Sequence, residues 1–251
     1  PPRSTLFPYT TLFRSGLGHQ VCVDAITEML RAAAKYEIPL VDRQLCCAPV
    51  RSAEGQDYLA AMAAAANFAF VNRQLMTNLA RDVFARRLGA ELRTVYDVCH
   101  NIAKIEEHLV DGASKELLVH RKGATRALPK DHPLVPEAYR DVGQPVIIPG
   151  DMGRYSFVLK GDSRSAETFG SACHGAGRLL SRGEAKRRFE RFDVTKVLED
   201  RGVIVRGASK ETIVEEMPQA YKDVADVVDV VARGGIASKV VRIRPIGCVK
   251  G

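Results

Sequence analysis

The chain has no apolar run long enough to span a bilayer, which sets aside the membrane-spanning helical classes. Its first residues show no charged-then-apolar leader pattern. Its six cysteines make no regular framework: Cys46 and Cys47 are adjacent and the others are scattered. In 251 residues that usage fits a reduced, cytosolic protein rather than a disulfide scaffold, and it supplies no CxxC metal spacing. No internal repeat, low-complexity tract or clear linker divides the chain. No Gly-Lys-Ser/Thr ending follows its glycine-rich stretches, so it has no Walker loop. What is present is an ordinary globular composition, 46% hydrophobic and 27% charged. The net charge of +7 favours polyanionic partners such as nucleic acid or nucleotides.

Residues 1–15, PPRSTLFPYTTLFRS, stand apart. They hold Thr-Leu-Phe twice, contain no acidic residue and follow neither helical nor strand periodicity. They resemble translated vector, adapter or frameshifted sequence more than a short native arm, and are set aside as a non-native tail.

The remainder reads as α+β, because strands and helices mix without a strict βαβ rhythm. Residues 20–34 are predicted helical, with Val23, Ile26 and Leu30 on one stripe. Residues 54–88 carry Phe68, Val71, Leu75, Leu79 and Val83 at three- and four-residue spacing, which predicts a buried or half-buried scaffold helix, unbroken or in two pieces. "ELRTVYDVCHN" predicts a strand with His100 at its end, and "KELLVHRKGATRA" a strand followed by a basic loop. "QPVIIPGDMGRYSFVLKG" reads as strand, turn, strand. Ser181 and Glu184 make a capping box ahead of "AKRRFERF". "GVIVRG" is a short strand, Pro218–Val231 a helix stopped by Gly234-Gly235, and "KVVRIRPIGCVKG" a final strand.

The residues with most chemistry lie in "SACHGAGRLLSR", residues 171–182. His174 precedes Gly175, Ala176 and Gly177, a loop whose backbone N–H groups suit phosphate, with Arg178 and Arg182 adding forked donors. Beside a phosphate, His174 could attack phosphorus; it could equally bind a metal, relay protons, or simply occupy a tight turn. His100, followed by Asn101, fits a metal or phosphate ligand as well as a hydrogen-bonded junction residue. Cys99 and Cys173 read as packing cysteines, and His108, His120 and His132 as solvated or structural. Arg121, Lys122, Arg126 and Lys130 could track a nucleic-acid backbone or form a solvated basic surface.

"GLGHQV" (16–21), "YDVCHNIAKIEEH" (96–108), "HRKGATRALP" (120–129), "DVGQPVIIPGDMG" (141–153), "CHGAGRLLSR" (173–182), "AYKDV" (220–224) and the terminal "KG" together resemble the RtcB family of RNA-splicing ligases, in the family's order. The resemblance implies an RtcB-like catalytic fold and a GTP- and Mn2+-dependent enzyme. Such an enzyme joins an RNA 2′,3′-cyclic phosphate or 3′-phosphate end to a 5′-hydroxyl end, as in joining tRNA halves and repairing RNA. It implies that His174 is guanylylated and that Gly175, Ala176 and Gly177 hold the guanylate. His100 then matches a metal-binding histidine, with Asn101 beside it at the nucleotide. Pro149, Gly150, Asp151, Met152 and Ser156 match nucleotide-contacting positions, although a small polar residue is expected where Asp151 stands. Tyr221 matches a tyrosine that packs on guanine, and Lys250 the lysine that recognises the base. A neutral imidazole is required for attack, so activity is expected to fall in acid. A cytoplasmic location and an archease-like activator fit the same picture.

The chain also departs from the family, whose members carry His-x-Gly-Ser-Arg directly before Gly-Leu-Gly-His-Gln. Here "PYTTLFRS" occupies that place, and the family's earlier metal ligands do not occur. Residues 16–251 are therefore expected to be the C-terminal part of a single RtcB-like catalytic domain, inactive or nearly so alone. The competing expectations are a non-catalytic RNA- or nucleotide-binding fragment and a metal-dependent phosphohydrolase.

Overall fold

The computed structural model describes residues 16–207 and 209–250; the tail assigned to 1–15 lies outside the described residues. The class is α+β, as the sequence predicts. The chain divides into two compact units between Val95 and Tyr96.

The first unit is built on two helices, α1 (Leu17–Lys35) and α2 (Ala53–Leu88). Ser52 caps α2 by accepting from the Gly55 amide at 3.1 Å, and Glu54 places a carboxylate in the first turn. A Cβ on Gly55 would lie 2.4 Å from the Pro49 carbonyl oxygen, so only glycine lets the incoming chain lie across this turn. Glu54 also accepts from Lys35 at 2.7 Å and from the Tyr36 hydroxyl at 3.0 Å, which ties the end of α1 to the start of α2. Met29, Ala32 and Ala33 of α1 are buried.

α2 runs unbroken for 36 residues, but it is not the buried scaffold the periodicity predicts. Phe68, Val71, Leu75, Leu79 and Val83 are all exposed, and Gly55 is its one buried residue. Length explains the far half: α1 spans about 28 Å and α2 about 54 Å, so α1, tied to the start of α2, ends short of Leu75, Leu79 and Val83. A second expectation also fails, since residues 90–99 form no strand. The Arg81 guanidinium donates to the Leu92 carbonyl at 3.0 Å and to the Thr94 hydroxyl at 2.8 Å, holding this extended segment by side-chain bonds in place of a ladder.

The second unit opens with a hairpin of β1 (Asn101–Val110) and β2 (Ala113–Lys122). Asp111 (φ 54°) and Gly112 (φ 78°) form its turn, the left-handed pair that two-residue hairpins require. His100 therefore stands before a strand rather than at the end of one. β2 passes through Gly123 into β3 (Ala124–Arg126), so the basic loop that the sequence predicts is partly a strand. β4 (Pro145–Ile148) and β5 (Ser156–Gly161) flank the Pro-Gly turn, and β6 (Ser171–Cys173) pairs antiparallel with β3. Then come α3 (Arg182–Phe189), α4 (Val194–Glu199), β7 (Ile204–Gly207), α5 (Lys210–Glu215), α6 (Val224–Arg233), β8 (Ala237–Ile243) and β9 (Gly247–Lys250). Ser181 caps α3 as expected, accepting from the Glu184 amide at 3.2 Å.

Two predicted elements break. The helix expected from Pro218 becomes a 3-10 turn, Pro218–Ala220, and α6 starts afresh behind Asp223, which accepts from the Ala225 amide at 2.8 Å. Tyr221, between them, has extended backbone (φ −117°, ψ 150°) and bridges to Arg178. The last strand splits at Pro245, which cannot donate to a ladder. β8 joins the sheet β4-β5-β8, while β9 pairs parallel with β7.

The unit holds two apolar clusters. Val146, Ile148, Phe157 and Leu159 of β4 and β5 pack with Val224, Val228 and Val231 of α6 and with Ala172 and Ala176. Met152, Phe189, Leu198, Val203, Val205, Met217 and Ala220 form the other. Ala176 is anchored in one cluster, and Met152 and Ala220 in the other, so the segments carrying the candidate site are fixed by core packing.

Candidate active site

His174 is placed by strand register. β3 and β6 pair antiparallel with Ala124 opposite Cys173, so His174, the next residue, lies beside Gly123, the one before. Gly123 has φ 68°, and a Cβ there would touch His174 Nε2 at 3.4 Å. Glycine thus serves twice, permitting the left-handed backbone and leaving the ring nitrogen uncovered. The Gly123 amide donates to Asn101 Oδ1 at 3.1 Å, fastening the start of β1 to the same point. The His100 ring stacks on the His174 ring, with centroids 4.6 Å apart and planes 7° from parallel. The structure therefore brings together His100, Asn101 and His174.

Burial lowers the pKa of His174 below its ordinary 6.5, and the nearby Lys122 ammonium lowers it further. Both effects disfavour the imidazolium, so the ring is neutral, with a lone pair available, near neutral pH. In the sequence Lys122 is one of several basic residues. Its place beside His174 follows from two strand pairings and is not visible in the sequence.

The loop after His174 is held at both edges. Gly177 (φ 76°) accepts at its carbonyl from the Lys222 amide at 3.1 Å, and the Leu179 amide donates to the Ala220 carbonyl at 2.8 Å. Arg178 donates to the Leu180 carbonyl at 2.9 Å and to the Tyr221 hydroxyl at 2.7 Å, and also bonds the Glu215 carbonyl. Its guanidinium lies over the Tyr221 ring, 4.6 Å from the centroid. The Tyr221 hydroxyl donates to Glu216. Burial, with the Glu216 hydrogen bond and charge, pushes the Tyr221 phenol up to about 12. Arg182 stays exposed, 3.7 Å from Glu216. Glu216 was not singled out in the sequence, because a lone glutamate carries no motif.

Pro149, Gly150, Asp151, Met152 and Ser156 form one turn between β4 and β5. The Gly150 amide donates to Ser156 Oγ at 3.2 Å. A Cβ on Gly150 would fall 1.9 Å from the Tyr155 carbonyl oxygen, so the turn closes only around glycine. Asp151 faces inward, its Oδ1 accepting from the amides of Gly153 at 2.9 Å and Arg154 at 3.0 Å. A Cβ built on Gly175 lies 3.9 Å from the Pro149 carbonyl oxygen, so this turn approaches the His174 loop. The backbone of Lys250 pairs with Gly207 in β9; its side chain lies outside the described residues.

The basic set separates. Lys122 and Lys130 are exposed, but Arg121 is 4% exposed and its guanidinium meets the Glu106 carboxylate in two bonds of 2.9 and 2.7 Å. Arg121 also donates to Ser171 Oγ at 2.9 Å and to the Phe169 carbonyl at 2.8 Å. It is a structural residue that ties the β1–β2 hairpin to β6, and it cannot reach a nucleic-acid backbone. Burial pushes Glu106 up, but the Arg121 hydrogen bonds and charge prevail and hold it below the usual carboxylate range. His108, 3.2 Å from Glu106 and edge-on to Phe169, belongs to the same cluster.

Among the described residues no three His, Cys, Asp or Glu side chains come together to hold a metal ion. No helix among them is long and apolar enough to cross a membrane.

A family model described as tRNA-splicing ligase RtcB matches residues 14–251. A curated tRNA-splicing ligase RtcB from Archaeoglobus fulgidus is 52% identical over 242 residues, an alignment that covers 94% of this chain and 50% of that protein. The chain thus spans about half the length of that relative.

Proposed function

This chain belongs to the RtcB family, and from that premise we propose that it carries the nucleotidyl-transfer half of a GTP-dependent RNA ligase acting in the cytoplasm, with His174 as the covalent nucleophile. The observation that supports this most is the state of His174: a neutral imidazole, its Nε2 against a glycine, at the head of a loop fixed by core packing and backbone bonds.

In this reading a His174 ring nitrogen attacks the α-phosphorus of GTP. An N–P bond forms, the bond to the bridging oxygen breaks, and pyrophosphate leaves. Backbone N–H groups of Gly175, Ala176 and Gly177 receive the phosphate oxygens, and Lys122 offsets part of their charge. Pro149, Gly150, Met152 and Ser156 border the nucleotide, Asn101 lies beside it, Tyr221 packs on the guanine, and Lys250 donates to the base. The guanylate then passes to an RNA 3′-phosphate, and the 5′-hydroxyl of a second RNA end displaces GMP. The substrates are RNAs with 3′-phosphate and 5′-hydroxyl ends, tRNA halves among them; a 2′,3′-cyclic phosphate end enters after water opens it, breaking the 2′-O–P bond to leave a 2′-hydroxyl and a 3′-phosphate. An archease-like activator belongs to the same proposal.

Manganese fits these residues poorly. His100 offers one donor, and one imidazole does not hold a divalent ion firmly. Manganese would neutralise phosphate charge where a full ligand set exists.

The test is incubation with labelled GTP and manganese. It is run on this chain and on the chain extended upstream to the length of its archaeal relative. The extended chain is expected to take a covalent guanylate that is lost in His174→Ala. RNA binding with no label on the extended chain would favour a non-catalytic binding module. Phosphate release without joining would favour a phosphohydrolase.

A further inference from the structure

Arg154 is drawn into four interactions, one with Asp151 in its own turn and three with the segment carrying Tyr221. Its Nε donates to Asp151 Oδ2. Its Nη2 donates to the carbonyl oxygens of Pro218 at 2.8 Å and Tyr221 at 3.0 Å. Its Nη1 lies 3.3 Å from Asp223 Oδ2, the side chain that caps α6. The Asp151 side chain is 1% exposed and that of Arg154 is 26% exposed, so this contact is more than a solvated surface pair. Gly153 lets the segments meet: a Cβ there would lie 2.9 Å from Leu198 and 3.2 Å from Pro218.

The two carbonyls that Arg154 holds stand on either side of the site's meeting point. Ala220, between them, accepts from the Leu179 amide, and Lys222, just after, donates to Gly177. One guanidinium therefore joins the turn at 149–153 to the 218–223 segment, and that segment is bonded in turn to the His174 loop. The far end of Tyr221 is fixed separately, by Arg178 and Glu216.

We propose that Arg154, aligned by Asp151, is the positioning residue of the nucleotide site. It sets the backbone of Tyr221 against the Pro149–Met152 turn and so fixes the width of the space a nucleotide base enters. This rests on the nucleotide reading above. It also gives Asp151 a role, since its carboxylate is turned toward Arg154 and the turn amides. A planar fork can serve an acid and two carbonyls at once, and a lysine ammonium cannot reproduce that geometry.

The test compares the unsubstituted extended chain with Arg154→Lys in covalent labelling by GTP, reading the half-saturating GTP concentration and the limiting rate separately. The half-saturating concentration is expected to rise about tenfold, the scale of losing charge-assisted hydrogen bonds. The limiting rate is expected to fall less than about threefold and the pH profile to stay in place, because His174 is untouched. An unchanged half-saturation, or a loss confined to the limiting rate, would overturn the proposal. Should Arg154→Lys fail to fold, Asp151→Asn keeps an acceptor for the turn amides and is expected to raise the half-saturating concentration in the same sense; no rise would count against the proposal. If the unsubstituted protein takes no label, the function above fails, and the clamp is read by amide hydrogen exchange in this chain. Arg154→Lys is then expected to speed exchange at Leu179 and Lys222, and unchanged exchange overturns it.

Discussion

At His174 burial and one neighbour set the protonation state, and the neighbour's part can be tested. Burial acts first and the Lys122 charge second, both in the direction that keeps the ring neutral. Replacing Lys122 by Gln removes the second influence and leaves the first. In the metal-free protein the His174 ring, followed by NMR, is expected to titrate below 6.5 and to move upward in Lys122→Gln. A downward move would show that Lys122 acts otherwise. The buried Arg121–Glu106 pair is a second case at this scale. Removing one partner strands a buried charge, so Arg121→Leu is expected to cost about 3–5 kcal/mol in urea unfolding, and Arg121→Leu combined with Glu106→Leu distinctly less. A histidine before Gly-Ala-Gly drew notice in the sequence but fitted a tight turn equally well, and only the ordered family blocks around His174 made it the candidate nucleophile. Arg121 was not: an arginine in a basic run reads as surface, and only its buried guanidinium, reaching along the hairpin from opposite Ile102 to Glu106, shows otherwise.

Among the elements, those that read correctly carry their own punctuation. Ser181 with Glu184 announces α3, and Pro149-Gly150 announces the turn between β4 and β5. The misread elements depend on side-chain and loop bonds that no periodicity announces. Residues 90–99 alternate like a strand but find bonds from Arg81 rather than a neighbouring strand. The helix read from Pro218 stops because Tyr221 and Lys222 bond to the His174 loop, and Asp223 then restarts it. The β1–β2 hairpin went unrecognised although its signal was present, an Asp-Gly pair between two apolar-polar alternations. Gly112, at φ 78°, is the residue this turn depends on. Gly112→Val is expected to lower stability by at least about 1 kcal/mol, measured as a fall in melting temperature. An unchanged melt would contradict the turn assignment.

For the whole molecule, the net charge of +7 and the α+β class were legible from composition and pattern, whereas the two-unit division was not, because no linker marks it. The basic balance gives a graded expectation for RNA binding. Log affinity should fall linearly with log salt, and each exposed lysine at a phosphate should contribute about 0.7 to the slope on a single strand. Lys122→Gln and Lys130→Gln are expected to flatten the slope, and Glu106→Gln with Arg121→Met to leave it unchanged, since that pair is buried. A slope that follows Arg121 instead would refute the separation of the basic set.

The proposed ligase chemistry requires His174 to accept a guanylate. It is tested most directly by labelling the extended chain with α-phosphate-labelled GTP, digesting it and locating the adduct by mass spectrometry. The expected result is one acid-labile, base-stable adduct on His174, absent in His174→Ala and slower to form below pH 6. An adduct on another residue, or none on a folded extended chain with manganese, would show that His174 is not the nucleophile.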